Sequence, residues 1–270
     1  MNDMKTIKEI IEFEKKLAEY EGEDQIISSQ EMAVYLTETY KEKRNLNLQS
    51  GIQSLDDRIQ SFEGGELTVI SGPTGNGKTL LAQTITAYFA EHENHSLWFT
   101  YEVPAYQFLK QFGELCPKFY LPKTLAGNTL AWLDERILEG KLKYGIDAVF
   151  IDHLHYLIDM STRLNMSLEI GKVMRYLKKL AIRYNIAIFL MAHLEKTKAD
   201  IEPDVGNLRD SSFVSQEADN VFLIWRKKKN PTQAVLKVCK NRRLGVMNYK
   251  CHLEKREYLL KEDINAVMEN

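Results

Sequence analysis

The sequence predicts an α/β protein whose mostly parallel central sheet is flanked by helices and preceded by a short helical extension. Two observations predict this fold. Short apolar runs alternate with helical patterns from about residue 51 onward, which is typical of a parallel sheet with crossover helices. A glycine-rich motif also lies between one apolar run and a helical stretch, the setting in which phosphate-binding loops occur. The length of 270 residues suits one large domain of this class, or one domain with an appendage.

Residues 1–46 differ from the rest of the chain, because they contain no glycine-rich loop and no strand-like apolar run. Two amphipathic helices are predicted there from apolar residues that recur every three or four positions. Ser28 and Glu31 have the spacing of a capping box that begins the second helix. We therefore assign 1–46 to a helical extension and 47–270 to the sheet domain, with residues 45–51 as an extended linker.

Six strands are predicted in the sheet domain, each an apolar run of the kind that is buried on both faces. They are Leu67–Ile70, Leu97–Tyr101, Ala148–Ile151, Ala187–Met191, Val221–Trp225 and Ala234–Cys239. A helix is predicted from about Leu168 to Tyr184, with Leu177 and Leu180 facing inward. The lysines and arginines on its opposite side are most simply a solvated face.

One motif fits the phosphate-loop pattern G-x-x-x-x-G-K-[ST] in full. It consists of Gly72, Pro73, Thr74, Gly75, Asn76, Gly77, Lys78 and Thr79. The glycines let backbone N–H groups close around phosphates, and the N-terminus of the next helix adds partial positive charge. Lys78 is expected to contact the β- and γ-phosphates, and the Thr79 hydroxyl to hold Mg²⁺. The chain is therefore predicted to bind a nucleoside triphosphate.

Polar residues end three of the strands that follow this loop, and ligands of open α/β sheets bind at such carboxyl ends. Asp152 ends an apolar strand in the manner of a Mg²⁺-coordinating aspartate. Glu102 could accept a proton from the water that attacks the γ-phosphate, although before Pro104 it could equally begin a helix. His193 follows a strand that would direct it at the γ-phosphate, although a lone histidine is more often structural.

The composition narrows the functional classes. A formal net charge of −2 argues against a protein that coats nucleic acid through bulk charge, so any such contact needs local basic clusters. The three cysteines lack C-x-x-C spacing, which fits a reducing cytoplasm and predicts neither a disulfide framework nor a zinc site. No apolar run approaches 18 residues, so no membrane span is predicted. The acidic N-terminus predicts neither a transit peptide nor a signal peptide.

Together these segments resemble the RecA-like motor domain of hexameric replicative helicases: the DnaB family, phage primase–helicases and mitochondrial Twinkle. The resemblance covers roughly residues 51–257. T-Y-E-V-P around Glu102 is similar to the family's S-L-E-M-P segment, which implies that Glu102 is the catalytic base. I-D-H-L around Asp152 is similar to the family's Walker B strand in its phage and Twinkle form. His193 occupies the γ-phosphate sensor position, where phage-type enzymes have His and DnaB proteins have Gln.

The resemblance also implies residues that act on a neighbouring subunit. Lys240 and Arg242 match the family's K-x-R pair, which reaches the nucleotide of the adjacent subunit. A planar guanidinium can stabilise the charge that spreads over the γ-phosphate oxygens in the transition state. Supplying it from a neighbour makes hydrolysis depend on assembly. Spacing alone would favour a basic surface turn.

Two loops, 159–167 and 195–212, are expected to face the centre of a ring. L-R-D-S-S, which ends at Ser212, resembles the family segment whose loop touches single-stranded DNA, although the family usually has Gly at that position. Repeated around a ring, the basic residues of these loops would form a channel that binds phosphates without reading bases. For a single subunit, the same sparse charges fit a solvated surface loop equally well. The residues expected to contact DNA are Arg163, Lys196, Lys198, Arg209, Asp210 and Ser212.

The resemblance therefore implies a DnaB-like hexameric ATPase that uses ATP and Mg²⁺ to move on single-stranded DNA in replication, as a helicase or translocase. It implies a homo-oligomeric ring and primase or other replication proteins as candidate partners, in bacterial cytoplasm or that of a phage host. Residues 1–46 are too short for the extra N-terminal domain of DnaB proteins, so the second helix is a candidate for a linker helix that docks on an adjacent subunit. The alternatives are a RecA- or KaiC-like recombinase or regulatory ATPase, and an ATP-dependent loading factor.

Overall fold

The computed structural model divides the chain into two compact units, one within residues 1–45 and one within residues 46–270. No helix in the described part of the chain is long and apolar enough to cross a membrane. The described residues are 7–22, 24–41, 46–113, 116–158, 166–193, 214, 216–227 and 230–263.

The smaller unit contains two helices, α1 (Ile7–Ala18) and α2 (Ser29–Lys41). The predicted capping box is confirmed at the start of α2. The backbone N–H of Ser28 donates to Glu31 Oε2 at 2.8 Å, and the N–H of Glu31 donates to Ser28 Oγ at 3.2 Å. Two amide groups that the helix itself leaves unpaired are satisfied in this way.

The larger unit is a sheet with helices on both faces. Its elements are α3 (Gln53–Ile59), β1 (Leu67–Gly72), α4 (Lys78–Glu91), β2 (Ser96–Thr100), α5 (Ala105–Lys110), α6 (Leu130–Tyr144), β3 (Ala148–Asp152), a 3-10 turn (Leu154–Leu157), α7 (Met166–Tyr184), β4 (Ala187–His193), β5 (Asn220–Lys227), β6 (Asn230–Asn241), β7 (Tyr249–Arg256) and β8 (Leu259–Glu262).

The eight strands form one sheet in the order β2-β3-β4-β1-β5-β6-β7-β8. The first five in this order pair in parallel, and β5 to β8 form an antiparallel extension. The six predicted strands and α7 are confirmed. The prediction missed β7 and β8, because β7 alternates buried and exposed residues and β8 has only four residues, so neither forms a continuous apolar run.

The core consists of two layers, one on each face of the sheet. Since successive residues of a strand point to opposite faces, Val69 of β1 packs on the side of α6 and α7, whereas Ile70 packs on the side of α3 and α4. The basic side of α7 is exposed as predicted, and several of its residues form ion pairs, for example Lys172 with Glu169 at 2.7 Å.

The predicted linker is extended, but its described part is packed into the sheet domain. Leu46, Leu48 and Ser50 are buried. The backbone of Leu48 exchanges two hydrogen bonds with Phe62, at 3.0 and 2.8 Å. Ser50 donates from both its N–H and its hydroxyl to Asp56 Oδ1 at 2.8 Å. Polarity suggested a linker, whereas the alternation of burial along this segment is that of a short edge strand.

We therefore expect Leu48→Ala to lower the free energy of unfolding by about 2–5 kcal/mol, because it leaves a cavity beneath a fixed backbone. Chemical denaturation followed by tryptophan fluorescence measures this change. The exposed neighbour Asn47 supplies the control, since Asn47→Ala should change stability by less than ~0.5 kcal/mol. Equal, small effects of both substitutions would mean that the segment is a free linker.

Candidate nucleotide site

The phosphate loop joins the end of β1 to the start of α4 and requires glycine at two positions. At Gly72 a Cβ atom would lie 2.1 Å from the carbonyl oxygen of Ile224 in β5, so no side chain fits there. Gly77 immediately precedes α4 with φ of 104°, a conformation that L-residues with side chains rarely adopt. The loop backbone is therefore shaped by β5 on one side and by α4 on the other.

Lys78 and Thr79 begin α4 and point to the carboxyl end of the sheet. Lys78 is only 6% exposed, and its Nζ donates to the carbonyl oxygens of Gly72 and Pro73 at 3.0 and 3.2 Å. Burial lowers the pKa of this ammonium group, although Asp152 and Glu102 act in the opposite direction. A buried cation held by two carbonyl oxygens is well suited to exchange them for phosphate oxygens, which carry full charge.

Thr79 and Asp152 meet although they are 73 residues apart. Thr79 Oγ1 donates to Asp152 Oδ2 at 2.7 Å, whereas the buried Oδ1 has no hydrogen-bond partner among the described residues. Burial, and then the charge of Glu102, raise the pKa of Asp152 to about 6 against the effect of the Thr79 hydrogen bond. A hydroxyl beside a buried, unpaired carboxylate oxygen is a donor set that fits Mg²⁺.

Glu102, His153 and His193 form a second cluster beside this pair, with ligand atoms within 4.8 Å of one another. Glu102 Oε2 lies 3.9 Å from His153 Nε2, and the rings of His153 and His193 meet nearly at right angles with centroids 4.2 Å apart. Burial lowers the pKa of His153 to about 3, and burial together with Lys78 lowers the pKa of His193. Both imidazoles are therefore neutral near pH 7.

One open cavity of about 450 Å³ is lined by five of the residues described above, which are Lys78, Thr79, Glu102, Asp152 and His193. The structure thus brings together the predicted phosphate-loop, metal, base and sensor residues. The remaining wall was not predicted, since two of its members belong to the hairpin of β7 and β8. The additional polar lining residues are Gln83, Lys110, Gln111, Arg226, Lys255 and Tyr258.

Lys240 and Arg242 do not reach this cavity. They lie at the end of β6, which runs antiparallel to β5, so they sit where β5 and β1 begin. The phosphate loop follows the other end of β1, which is six residues or roughly 16 Å long. Lys240 Nζ donates to the carbonyl oxygen of Ala218 at 2.8 Å, and Arg242 NH1 lies 3.1 Å from Asp219 Oδ1.

The residues predicted to contact DNA lie outside the described part of the chain. They fall within residues 159–165 and 194–213, which are not among the described residues. They are Arg163, Lys196, Lys198, Arg209, Asp210 and Ser212. Their roles stay predictions.

Among curated proteins, the chain is similar to replicative helicases. It is 28% identical over 234 residues to the "Probable plasmid replicative DNA helicase" of Chlamydia muridarum, which covers 74% of this chain and 51% of that protein. It is 22% identical over 224 residues to the "Replicative DNA helicase DnaB" of Rickettsia typhi, covering 67% of this chain and 45% of that protein. The chain thus spans about half the length of these relatives.

Solved structures show the same fold at low identity. One solved ATPase domain matches with a TM-score of 0.73 and 17% identity, over 86% of this chain and 97% of that one. A DnaB-like replicative helicase studied for its interactions with primase matches with a TM-score of 0.70 and 17% identity, over 95% and 71%. The RadB recombinase matches with a TM-score of 0.59 and 14% identity, over 80% and 99%.

The family model described as "DnaB-like helicase C terminal domain" matches residues 118–258, which is more than half of the chain. The match extends from the segment before α6 through β7. The phosphate loop, which follows β1 of the same sheet, and Thr79 of α4 precede the matched residues. The chain therefore belongs to the DnaB-like helicase C-terminal domain family and has its RecA-like ATPase fold.

Proposed function

We propose that the chain is the motor of a DnaB-type replicative helicase: it hydrolyses ATP with Mg²⁺ at the interfaces of a ring and moves on single-stranded DNA. The contact between Thr79 and Asp152, in one cavity with Lys78, Glu102 and His193, carries this proposal. The relatives named as replicative helicases support a role in DNA replication. The K-x-R pair supports hydrolysis at the interfaces of a ring.

ATP and Mg²⁺ fit the donors that line the cavity. The loop amides and Lys78 would bind the β- and γ-phosphates, while the Thr79 hydroxyl and Asp152 would hold Mg²⁺. When bound, Mg²⁺ neutralises negative charge on the phosphate oxygens. Lys78 would then exchange the carbonyl oxygens of Gly72 and Pro73 for phosphate oxygens.

Glu102 is the residue best placed to take the proton of the attacking water. Its side chain is 38% exposed at the cavity wall, so water reaches it. The neutral ring of His153 lies 3.9 Å from its Oε2. His193 Nδ1 has no hydrogen-bond partner among the described residues. A neutral imidazole can donate one hydrogen bond to a γ-phosphate oxygen and thereby respond to its presence.

The unpredicted wall of the cavity is suited to the nucleoside. Arg226, Lys255 and Tyr258 line the cavity together with the phosphate loop, and the backbone N–H of Arg226 is held by Asn76 Oδ1 at 2.9 Å. Guanidinium and phenol groups stack on any base, because every base presents a π-face. This wall would therefore bind the base without strong selectivity.

Assembly into a ring completes the site in this proposal. Lys240 and Arg242 lie at the opposite end of β1 from their own phosphate loop, which supports a role at a nucleotide held by another subunit. A head-to-tail interface that closes into a ring places one such end against each cavity. Hydrolysis would then occur only between assembled subunits.

The function is tested by measuring ATP hydrolysis and strand separation with and without single-stranded DNA. We expect DNA to stimulate ATP hydrolysis, and we expect DNA binding to weaken as the salt concentration rises.

Replacing Lys196 and Lys198 by alanine should weaken DNA binding. The slope of the logarithm of the binding constant against the logarithm of the salt concentration should become shallower by up to ~0.7 for each phosphate that the protein no longer binds. The matched control replaces the exposed Lys172 and Lys179 of α7. Hydrolysis that ignores DNA would favour a regulatory or loading ATPase, and strand exchange would favour a recombinase.

Glu102→Gln should preserve ATP binding and lower kcat by about 10²–10⁴-fold, because an amide cannot accept the proton of water. Fluorescent-nucleotide binding and steady-state hydrolysis separate the two effects. Lys78→Ala is the contrasting variant, since it should weaken binding itself. Normal turnover by Glu102→Gln would mean that the base lies elsewhere, with Asp152 and His193 the next candidates.

Arg242→Ala should lower kcat by about 10³-fold or more while its own cavity still binds ATP, as expected for an arginine acting in trans. Mixing this variant with Lys78→Ala should restore hydrolysis, because about one interface in four of a randomly assembled ring pairs an intact loop with an intact arginine. Co-assembly is verified by size-exclusion chromatography with differently tagged variants. Absence of recovery in co-assembled rings would exclude action in trans.

A further inference from the structure

Asp219 is a buried carboxylate that joins three elements of the fold. Its Oδ2 accepts hydrogen bonds from the backbone N–H of Leu67 at 2.8 Å and from Lys178 Nζ at 2.6 Å. Its Oδ1 lies 3.1 Å from Arg242 NH1. Asp219 is only 6% exposed, and charge-assisted hydrogen bonds of this kind are the strong ones. One carboxylate therefore fixes the start of β1, helix α7 and the guanidinium of Arg242.

The backbone around Asp219 strengthens this arrangement. The N–H of Arg242 donates to the carbonyl oxygen of Asp219 at 2.8 Å, and Arg242 NH2 donates to the carbonyl oxygen of Gln216. Lys240 Nζ donates to the carbonyl oxygen of Ala218 at 2.8 Å. Both cations of the K-x-R pair are thus held by the short segment that leads into β5.

The neighbouring Arg243 shows what a structural arginine looks like in the same turn. Its side chain is 24% exposed, and its guanidinium contacts the carboxylates of Glu63 and Glu66 and the carbonyl oxygens of Ile59 and Ser61. These partners occupy donors on all three of its nitrogens.

Arg242 is held differently. Its side chain is 46% exposed, and the described residues engage it at NH1 through Asp219 and at NH2 through Gln216. A guanidinium has five N–H donors. These two contacts fix its plane, and the described residues leave its other N–H groups to a ligand outside the subunit. The contacts orient the group without saturating it.

From this geometry we propose that Asp219 is a positioning residue for catalysis: it holds the Arg242 guanidinium in the orientation that meets the γ-phosphate on the adjacent subunit. The inference rests on the proposed action of Arg242 in trans. Holding the group in advance removes the entropic cost of ordering a long side chain at the moment of reaction. A carboxylate partner also keeps the guanidinium beside a negative charge until phosphate oxygens approach it.

The test compares Asp219→Asn with Lys178→Met in assembled rings. Asn has the shape of Asp but loses the charge that holds Arg242, so kcat should fall about 10–100-fold, with little change in the KM for ATP. Lys178→Met removes the other side-chain partner of the same carboxylate and leaves the contact with Arg242, so its kcat should stay within about threefold of wild type. Similar losses of kcat in both variants would overturn the proposal, because the carboxylate would then be only structural.

Two further measurements exclude a folding effect. Asp219→Glu keeps the charge and displaces it by one methylene group, so it should fold and assemble but still lower kcat at least about threefold, since misplacement alone is costly. In the Arg242→Ala background, Asp219→Asn should cause no additional loss in single-turnover hydrolysis, because residues that act through each other are not additive. An additive loss, or full activity of Asp219→Glu, would overturn the proposal.

Mixed rings provide the remaining readout. Asp219→Asn subunits keep an intact phosphate loop, so mixing them with Lys78→Ala subunits should restore hydrolysis as it does for Arg242→Ala. Failure to recover in verified mixed rings would place the defect within the subunit and contradict the proposal. If Arg242→Ala itself hydrolyses ATP normally, the proposed action of Arg242 in trans is wrong. If Arg242→Ala is inactive but Asp219→Asn is fully active, only the proposed positioning role of Asp219 is wrong.

Discussion

The position of β1 at the centre of the sheet is the constraint on which the site depends. β1 pairs in parallel with β4 and β5, and all six of its residues are buried. Its carboxyl end opens into the phosphate loop, while the N–H of Leu67 at its start is bound by Asp219. One rigid strand therefore sets the distance between the nucleotide cavity and the Arg242 guanidinium. A motion of β1 would displace both ends together.

Burial drives the ionisable groups of the cavity toward their neutral forms. It lowers the pKa of Lys78, His153 and His193 and raises the pKa of Asp152. A charged group in such a setting is costly until an opposite charge joins it. In the proposed function the triphosphate supplies negative charge to Lys78, and Mg²⁺ supplies positive charge to Asp152. Ligand binding would thus offset the free energy that it costs to keep these charged groups buried.

Much of the fold follows from local sequence signals. Strands β1 to β4 are largely apolar runs, because both of their faces are covered by helices, and the capping box at Ser28 needs only residues three positions apart. The prediction failed where a segment depends on a distant partner. Residues 46–50 read as a linker because Phe62, which pairs with Leu48, lies outside any local pattern. The hairpin of β7 and β8 was missed because neither strand is a continuous apolar run, and its pairing with β6 is what makes it part of the sheet.

By itself the sequence determined the phosphate loop, because Gly72 to Thr79 carry their chemistry within eight consecutive residues. Polar residues at strand ends then indicated roles for Glu102, Asp152 and His193, which the resemblance to the family made more specific, and the resemblance alone predicted the role of Arg242. Tertiary structure alone decided which of these residues meet. It placed Thr79 on Asp152, brought Tyr258 to the cavity, set Arg242 at the far end of β1 and gave it Asp219 as a partner. These contacts join segments that are separated by tens of residues or more, and their distances depend on strand order and register, which no local pattern encodes.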